Sequence, residues 1–323
     1  VRFFSDAQAR ALVTLRQKYE VWIEAERGLA KLPYNLARKE VAGRAYLYEL
    51  LDRRGNAKSL GPWSDEQAAR LDAYRYEKET LKARSATSRT ALGESAAIAR
   101  AVRVPMIANE AGPILREADR RGLLGGALLV VGTNAVAAYA LEVGGFIPEL
   151  PDETADFDLA WAETDPQHNA QVVWDLLKAV DPTFTVNTER SFQARNAKAY
   201  EVEILAAPSR ARTMARIDRP QPIPLPEQEW LLEGRPVDQI LICRDGRPAR
   251  IVAPDPRWFA LQKLWMSRQA KRNPLKRGKD RKQGLLLLDA IAEAMPHYPL
   301  DDRFEAGLPA ELAPHYCEWA DQR

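Results

Sequence analysis

The chain has 323 residues, of which 46% are hydrophobic and 28% are charged, and its formal net charge is +2 at pH 7. Such a length and composition are typical of a folded protein with two or three domains, and they exclude a disordered or fibrous chain. The near-neutral balance gives no overall preference for polyanions, so any argument from charge depends on where the charges lie.

The cysteines and the apolar stretches indicate the compartment. Two cysteines, Cys243 and Cys317, cannot form a disulfide framework or a zinc site, and we expect both to be buried thiols in a reducing cytosol. The longest apolar stretch, residues 125–147, contains polar residues and glycines spaced as in a strand-turn-helix unit, so no membrane span is expected. Since the N-terminus has no signal-peptide pattern, the sequence predicts a cytoplasmic protein.

Residues 1–104 are predicted to form an N-terminal helical region. Apolar residues recur with helical spacing over residues 5–32, behind a serine cap and ahead of a proline. Ser64 caps a second helix that runs to about Arg84 or beyond. A further helix is predicted over residues 93–104, where the following proline ends it.

A β-hairpin is predicted within this region, over residues 43–62. Its residues alternate with period two before a turn signal at residues 53–56, and they include tyrosines and basic residues. Two interpretations are open. The hairpin can lie along nucleic acid, since rings stack on bases and cations contact phosphates. Alternatively, its tyrosines pack against the helices as ordinary core residues.

The central region, residues 105–210, contains the pattern that predicts a functional site. An apolar, β-branched run at residues 127–131 is typical of a buried strand, and a glycine-led turn and a helix follow it. Residues 156–161 then alternate acidic and apolar residues, which predicts a strand with Asp156 and Asp158 on one face. Adjacent carboxylates repel each other unless a cation lies between them, and oxygen ligands favour Mg²⁺ or Mn²⁺.

This arrangement resembles the nucleotidyltransferase superfamily typified by DNA polymerase beta, whose signature is a strand, a Gly followed by a small hydroxyl residue, and an acid-x-acid strand. The resemblance implies an α+β fold: a nucleotidyltransferase-type mixed sheet with flanking helices, between an N-terminal helical and β-hairpin region and a C-terminal helical region. The sequence is most similar to a bacterial group of stand-alone proteins of this fold. The similar segments are Gly132–Ala135 and residues 156–159, 200–205 and 254–265.

The resemblance implies that Asp156 and Asp158 hold the metal against the triphosphate of an NTP and that a third acid on a neighbouring strand completes a two-metal site. Glu203 is the preferred third acid, because it lies between two apolar residues in a predicted strand; Glu201, on the same face, is the reserve choice. Two features depart from the family pattern. The loop between Gly132 and Asp156 is longer, which costs little entropy, and the third acid is Glu rather than the commoner Asp.

Several further residues are predicted to bind the nucleotide. The turn formed by Gly132, Thr133 and Asn134 would present backbone N–H groups and a hydroxyl at a helix N-terminus, which favours anions. Arg195, close in sequence to the third acid, either contacts a phosphate or is a surface hairpin residue. The three histidines, His168, His297 and His315, lack metal-binding spacing and are expected to be structural.

The C-terminal region, residues 211–323, is predicted to contain a Pro-rich connector and a hairpin with its turn at residues 244–247. A helix is predicted to begin at Asp255 and Pro256 and to end near residue 271, and a second helix is predicted over residues 276–294. Ten Lys or Arg residues and a single acid lie within residues 257–282. Lys263 is embedded in an apolar segment, where a Lys is costly unless it meets an anion, and we expect it to reach the triphosphate. Lys279 and Asp280 resemble a basic-acidic element of abortive-infection nucleotidyltransferase toxins, near their active site. The remaining cations form either a platform for an acidic substrate or a solvated surface: Lys271, Arg272, Lys276, Arg277, Arg281 and Lys282.

These features lead us to expect a Mg²⁺-dependent nucleotidyltransferase that moves NMP from an NTP such as ATP to an acceptor hydroxyl. The basic residues favour RNA as the acceptor, and the resemblance to toxins implies a tRNA 3′ end and a toxin–antitoxin or defence role; a protein hydroxyl or a small molecule such as an aminoglycoside remains open. The alternative is a catalytically inactive module of the same fold that binds nucleic acid or a protein partner. The presence of all three acids argues against that alternative.

Overall fold

The computed structural model describes residues 1–152, 154, 156–165, 169–214 and 218–323. In this part of the chain the helices are α1 (Asp6–Lys31), α2 (Asp65–Ala101), α3 (Ala111–Arg120), α4 (Val136–Glu142), α5 (Gln171–Val180), α6 (Pro256–Ser267), α7 (Pro274–Ala294), α8 (Asp302–Ala306) and α9 (Ala313–Asp321). The strands are β1 (Arg2–Phe3), β2 (Asn35–Val41), β3 (Arg44–Leu50), β4 (Ala57–Pro62), β5 (Met106–Ile107), β6 (Leu128–Val131), β7 (Gly145–Phe146), β8 (Asp156–Trp161), β9 (Thr185–Val186), β10 (Gln193–Arg195), β11 (Glu201–Ala206), β12 (Ile223–Pro224), β13 (Val237–Cys243) and β14 (Pro248–Ala253).

A mixed sheet lies at the centre of the molecule. Its strands follow the order β6-β8-β11-β10-β9, and β12 pairs with the end of β11. β8 is antiparallel to β6 and parallel to β11. Because every second residue of β8 faces the core, Phe157 and Leu159 are fully buried while the acids between them face the other way. The predicted α+β fold with a mixed sheet and flanking helices is confirmed.

The hairpin of β13 and β14 joins this core although it comes much later in the chain. β14 packs against β6 and α3, and buried residues of both strands, such as Leu241 and Ile251, belong to the same hydrophobic cluster as the central sheet. The Arg244–Arg247 segment forms the predicted turn between the two strands. The division of the chain at residues 104 and 210 stays a prediction.

The N-terminal arm, residues 5–102, consists of α1, α2 and a three-stranded sheet of β2, β3 and β4. Ser5 caps α1 with the predicted side-chain hydrogen bond. The prediction of a helix break before residue 93 is wrong, because α2 runs without interruption from Asp65 to Ala101. Gly93 does not break the helix; it lies on the exposed side, and nothing outside the helix backbone would lie within 4 Å of a Cβ added there. The predicted hairpin exists as β3 and β4, but β2 was not predicted.

The C-terminal helices differ from the prediction mainly at their ends. α6 begins at Pro256 behind its cap Asp255, as expected, and ends at Ser267 rather than near residue 271.

Cys243 is buried, whereas the expectation that Cys317 is buried is wrong: it lies on the exposed side of α9. No helix in the described part of the chain is long and apolar enough to cross a membrane.

α6 and α7 cross at very close range. A Cβ added at Gly284 of α7 would lie 2.6 Å from Leu264 Cγ and 2.7 Å from the Ala260 carbonyl oxygen of α6. Such distances are shorter than real carbon contacts allow, so only glycine permits this crossing. The crossing also sets the position of the cations that α6 and α7 contribute to the site described below.

We predict that Gly284→Ala lowers the free energy of unfolding by about 1–3 kcal/mol, because the added methyl group forces the two helices apart. Urea unfolding measures the change. Gly278→Ala is the matched control on the same helix, since nothing lies within 4 Å of its added Cβ, and it should raise stability by about 0.5–1 kcal/mol. Equal effects of the two substitutions would contradict the close crossing.

Candidate active site

The site begins at the turn after β6. Gly132 has a φ of +64°, which favours glycine, and a Cβ at this position would overlap Asp158 Oδ2. Glycine is therefore required twice, by the backbone conformation and by the approach of the carboxylate. Thr133 and Asn134 follow in a short 3-10 turn and are both buried. Asn134 Nδ2 donates to the Asp156 carbonyl oxygen at 2.8 Å, which ties the turn to β8.

The parallel register of β8 and β11 brings four carboxylates to one face. Asp156 lies opposite Glu201, and Asp158 lies opposite Glu203. Since residues two apart on a strand point the same way, all four acids share the face that the Gly132 turn adjoins. Both candidates for the third acid therefore lie beside the aspartate pair.

Burial and neighbouring charges strongly disfavour the ionised form of Asp158. Burial, together with the charges of Asp156 and Glu203, raises the pKa of Asp158 from 3.8 to about 7. Burial likewise raises the pKa of Glu203; a hydrogen bond from Gln193 opposes this effect and the charge of Asp156 adds to it. The like charges at this point are therefore only partly compensated by the protein itself.

Asp156 is better compensated than its neighbour. Burial acts to raise the pKa of Asp156, but the hydrogen bond from Thr154 and the charge of Lys276 outweigh it, and the pKa lies below its ordinary value. Lys276 Nζ lies 3.7 Å from Asp156 Oδ2. Asp156 therefore stays ionised to a lower pH than Asp158 does.

Gln193 on β10 holds the two glutamates of β11. Its Nε2 donates to Glu201 Oε2 and to Glu203 Oε1, each at 3.0 Å, and its side chain is fully buried. Arg195 forms an ion pair with Glu201 and is half exposed. The structure places Arg195 at the surface with Glu201 as its partner, and its contact with a phosphate stays a prediction.

The cations of α6 and α7 lie across the cavity from the acids. Lys263 Nζ donates to Asp280 Oδ1 at 3.1 Å, and Arg272 Nε donates to Asp280 Oδ2 at 2.7 Å. The buried Lys263 therefore meets an anion within the protein, which the sequence did not predict. Burial and the nearby charge of Lys263 lower the pKa of Lys279 below its ordinary value. Lys276 projects from the first turns of α7.

A cavity of about 480 Å³ lies between these acids and cations. Its lining includes Gly132, Asp156, Asp158, Lys263 and Lys279; a second cavity of about 470 Å³ adjoins it on the other side of Thr133. Both volumes are in the range of small-ligand sites. The first cavity combines carboxylate oxygens, which can ligate a metal ion, with lysine and arginine side chains, which can contact phosphates. A metal-bound polyphosphate requires both kinds of group.

The residues present fit a divalent metal ion, provided that substrate phosphates and water complete its coordination shell. Among the described residues, no group of three or more His, Cys, Asp or Glu side chains is placed to hold a metal by itself. Mg²⁺ commonly takes only one or two carboxylates and completes its shell with substrate phosphates and water. Asp156 and Asp158 provide such a donor pair, and the raised pKa of Asp158 reflects an anionic point that a cation would relieve.

Several residues of the site were not predicted. Thr154 donates a short hydrogen bond to Asp156, and Gln283 of α7 donates to the Pro151 carbonyl oxygen at 2.6 Å. Neither residue belongs to a recognisable motif, so no signal in the sequence could have identified them. Gln193 could have been found, because a polar residue in a buried strand beside the acids needs partners.

The histidines do not contribute to the site where the structure describes them. His297 Nε2 lies 2.7 Å from Glu142 Oε1, and His315 is buried, where burial lowers its pKa. His168 lies outside the described residues. That the histidines have a structural role stays a prediction.

A comparison with protein-family models matches residues 109–308 to a family described as nucleotidyltransferase. The match covers more than half of the chain, and the chain therefore belongs to this nucleotidyltransferase family. It begins just before α3 and ends after α8, so it includes the central sheet and the helices that supply the cations. Neither the curated proteins nor the solved structures give a match.

We predict that Asp158→Asn stabilises the metal-free protein at about pH 8, by about 1–3 kcal/mol. The folded-state pKa of Asp158, about 7, lies above its ordinary value of 3.8, so the charged form destabilises the folded protein above that pKa. This cost disappears as the pH falls, and the gain from the substitution should shrink at about pH 5.

Urea unfolding in a chelator at the two pH values measures this effect. Glu94→Gln, an exposed position on α2, is the control and should change stability little at either pH. A variant Asp158→Asn that is less stable than the parent protein at the higher pH would show that Asp158 is not destabilised by its neighbours.

Proposed function

We propose that this member of the nucleotidyltransferase family is a Mg²⁺- or Mn²⁺-dependent enzyme that transfers NMP from an NTP to an acceptor hydroxyl, with RNA as the preferred acceptor. The observation that carries the proposal is the position of Asp156 and Asp158 against the Gly132 turn, opposite the cations of α6 and α7. Carboxylates on one wall can ligate the metal ion, and cations on the other wall can contact the phosphates, so the site suits a metal-bound triphosphate.

In this proposal Asp156 and Asp158 hold the metal, and Glu203 is the third acid. Glu201 remains its reserve, although its ion pair with Arg195 turns part of its charge away from the site. The bound metal supplies charge neutralisation at the phosphates and lowers the cost of pyrophosphate departure. Among the cations that line the cavity, Lys276 and Lys279 are the better candidates for phosphate contacts, because both are more exposed than Lys263, which is buried with Asp280.

The chain's own residues also orient the reaction. The Gly132 turn brings backbone N–H groups close to the triphosphate without a side chain in between. The acceptor oxygen forms a bond to the α-phosphorus while the bond to pyrophosphate breaks, and a carboxylate takes the acceptor proton. Glu203 is suited to this step because burial raises its pKa. The second cavity, lined by Asn134 and Arg244, offers a place for the acceptor end.

The alternative function is an inactive module that only binds a partner. The pairing of Lys263 with Asp280 favours this alternative, because it uses a cation that was expected to bind the triphosphate. Against it, an inactive protein has no reason to keep carboxylates whose mutual repulsion and burial destabilise the fold. We therefore prefer the enzyme.

The decisive experiment follows label from each α-labelled NTP into total RNA, protein and small acceptors in the presence of Mg²⁺ or Mn²⁺. We expect label in RNA with the parent protein and a loss of at least about a hundredfold in Asp156→Ala/Asp158→Ala, because both metal-binding carboxylates are removed. Glu94→Gln is the control and should keep full activity. Absence of transfer to every acceptor, together with absence of metal-dependent NTP binding, would favour the inactive module.

A second prediction concerns phosphate contacts. Lys276→Ala should weaken metal-dependent NTP binding about tenfold or more, because a charged hydrogen bond to phosphate is lost. Calorimetric titration of NTP in the presence of metal measures the change. Lys271→Ala removes an exposed cation that does not line the cavity and should leave the affinity within about twofold. Equal affinities of the two variants would remove Lys276 from the nucleotide site.

A further inference from the structure

The sheet of the N-terminal arm has one covered face and one open face. Leu36, Leu47 and Leu60 pack with Leu71 and Tyr74 of α2, so these side chains define the covered face. Because side chains alternate along a strand, the residues between them project from the opposite face. The described helices that pack on the sheet lie on the covered side, and the proposed chemistry uses neither face.

The open face combines aromatic rings and cations. By alternation it carries Lys39 of β2 and Arg44, Tyr46 and Tyr48 of β3. Lys39 pairs with Tyr46 across the two strands, and its Nζ lies 5.4 Å from the centre of the Tyr48 ring. Both tyrosines are partly exposed, and Arg44 is exposed. The tyrosines therefore do not pack against the helices, contrary to the second of the two interpretations of the hairpin.

The acidic residues of the sheet avoid the open face. Glu40 and Glu49 project to the covered side by alternation, and Asp52 lies in the turn between β3 and β4. Within residues 35–62, all of which the structure describes, the side chains on the open face are thus neutral or positive. Such a separation of charge favours a polyanionic partner.

We propose that this open face binds a single-stranded segment of the RNA acceptor, with Tyr46 and Tyr48 stacking on bases and Lys39 and Arg44 contacting phosphates. Exposed rings and cations on the face of a small sheet are a recurring way of binding single-stranded nucleic acid. Tyrosine and arginine are also common in protein interfaces, but a face whose charged side chains are all positive favours a polyanion over a protein partner. The inference rests on the proposed function only in treating the bound RNA as the acceptor.

The length of α2 explains why binding at the open face would favour a long RNA over a small acceptor. Tyr74 lies under the sheet, and Arg100, at the other end of α2, reaches Gly246 in the turn between β13 and β14. These two residues are 26 positions apart, which corresponds to about 39 Å of helix. Arg244 in the same turn region lines the cavity beside the catalytic carboxylates. A small acceptor cannot reach both ends, whereas a strand on the order of ten nucleotides can.

A groove lined by cations lies between the end of α1, the end of α3 and β14. It has a volume of about 670 Å³, and its cations are Arg27, Lys31, Arg120, Arg121 and Arg250. None of the described residues that line it is acidic. Since α1 ends at Lys31 and β2 begins shortly afterwards, the groove adjoins the sheet. Arg27 and Arg250 pair with Asp119, and Arg120 and Arg121 pair with Glu117, so these arginines are largely neutralised. The groove is therefore a weaker contact for a strand that extends from the arm toward the core.

The test measures binding of a fluorescently labelled, mixed-sequence single-stranded RNA of about 20 nucleotides by anisotropy. We expect Tyr46→Ala/Tyr48→Ala to weaken binding about tenfold or more, because stacking is lost, and Tyr46→Phe/Tyr48→Phe to bind like the parent protein. Arg44→Glu should weaken binding severalfold and reduce the slope of affinity against salt.

Lys58→Glu is the matched control for Arg44→Glu. It makes the same change of charge in the same sheet, but Lys58 pairs with Glu49 and shares the covered side with Leu60. We expect it to change the affinity less than Arg44→Glu. Thermal melts check that each variant folds, and if the paired alanine variant does not, the two charge variants at exposed positions decide the question.

Two results would overturn the proposal. Binding of single-stranded RNA that is the same in the parent, alanine and Arg44→Glu proteins would show that the open face does not bind RNA. Equal losses of RNA affinity in Arg44→Glu and Lys58→Glu would show that both residues act only through long-range electrostatic attraction to the RNA. Metal-dependent NTP binding should be unchanged in all these variants, so failure of RNA docking and failure of the proposed nucleotidyl transfer remain distinguishable.

Discussion

Repulsion among carboxylates on two parallel strands is the constraint on which the rest of the structure depends. The register of β8 and β11 places Asp156 opposite Glu201 and Asp158 opposite Glu203, on a partly buried face. A sheet gains no stability from like charges directly opposite each other. The surrounding structure compensates this cost only in part, through the amide of Gln193 and through nearby cations. What remains is an anionic point suited to a divalent cation.

The helices of the C-terminal region supply the opposite charge at a fixed distance. Asp280 is buried and accepts from Lys263 and Arg272, so an acid that opposes the local excess of cations also holds two of them in place. The position of this group depends on the close crossing of α6 and α7 at Gly284. Core packing therefore affects the electrostatics of the site, since a shift of α7 would move Lys276 and Lys279 relative to the carboxylates.

The arm is attached to the core by a second buried acid. Asp119 at the end of α3 forms an ion pair with Arg27 of α1, accepts from Arg250 of β14 at 3.0 Å and accepts from the Tyr19 hydroxyl at 2.9 Å. A buried charge with three partners from separate elements is costly to disrupt. Asp119 thus fixes the orientation of α1, and with it the distance between the small sheet and the site. In the proposed function that distance selects long acceptors.

The sequence by itself determined the features that depend on neighbours along the chain. Alternation fixed the strand that carries Asp156 and Asp158, and the caps of α1 and α6 were readable because a cap bonds within its own first turn. Only the tertiary structure decided that Lys263 meets Asp280, that Gln193 bridges both glutamates, and which face of the small sheet is open. These outcomes depend on which elements meet in space, and residues far apart in sequence leave no local periodicity to record such a meeting.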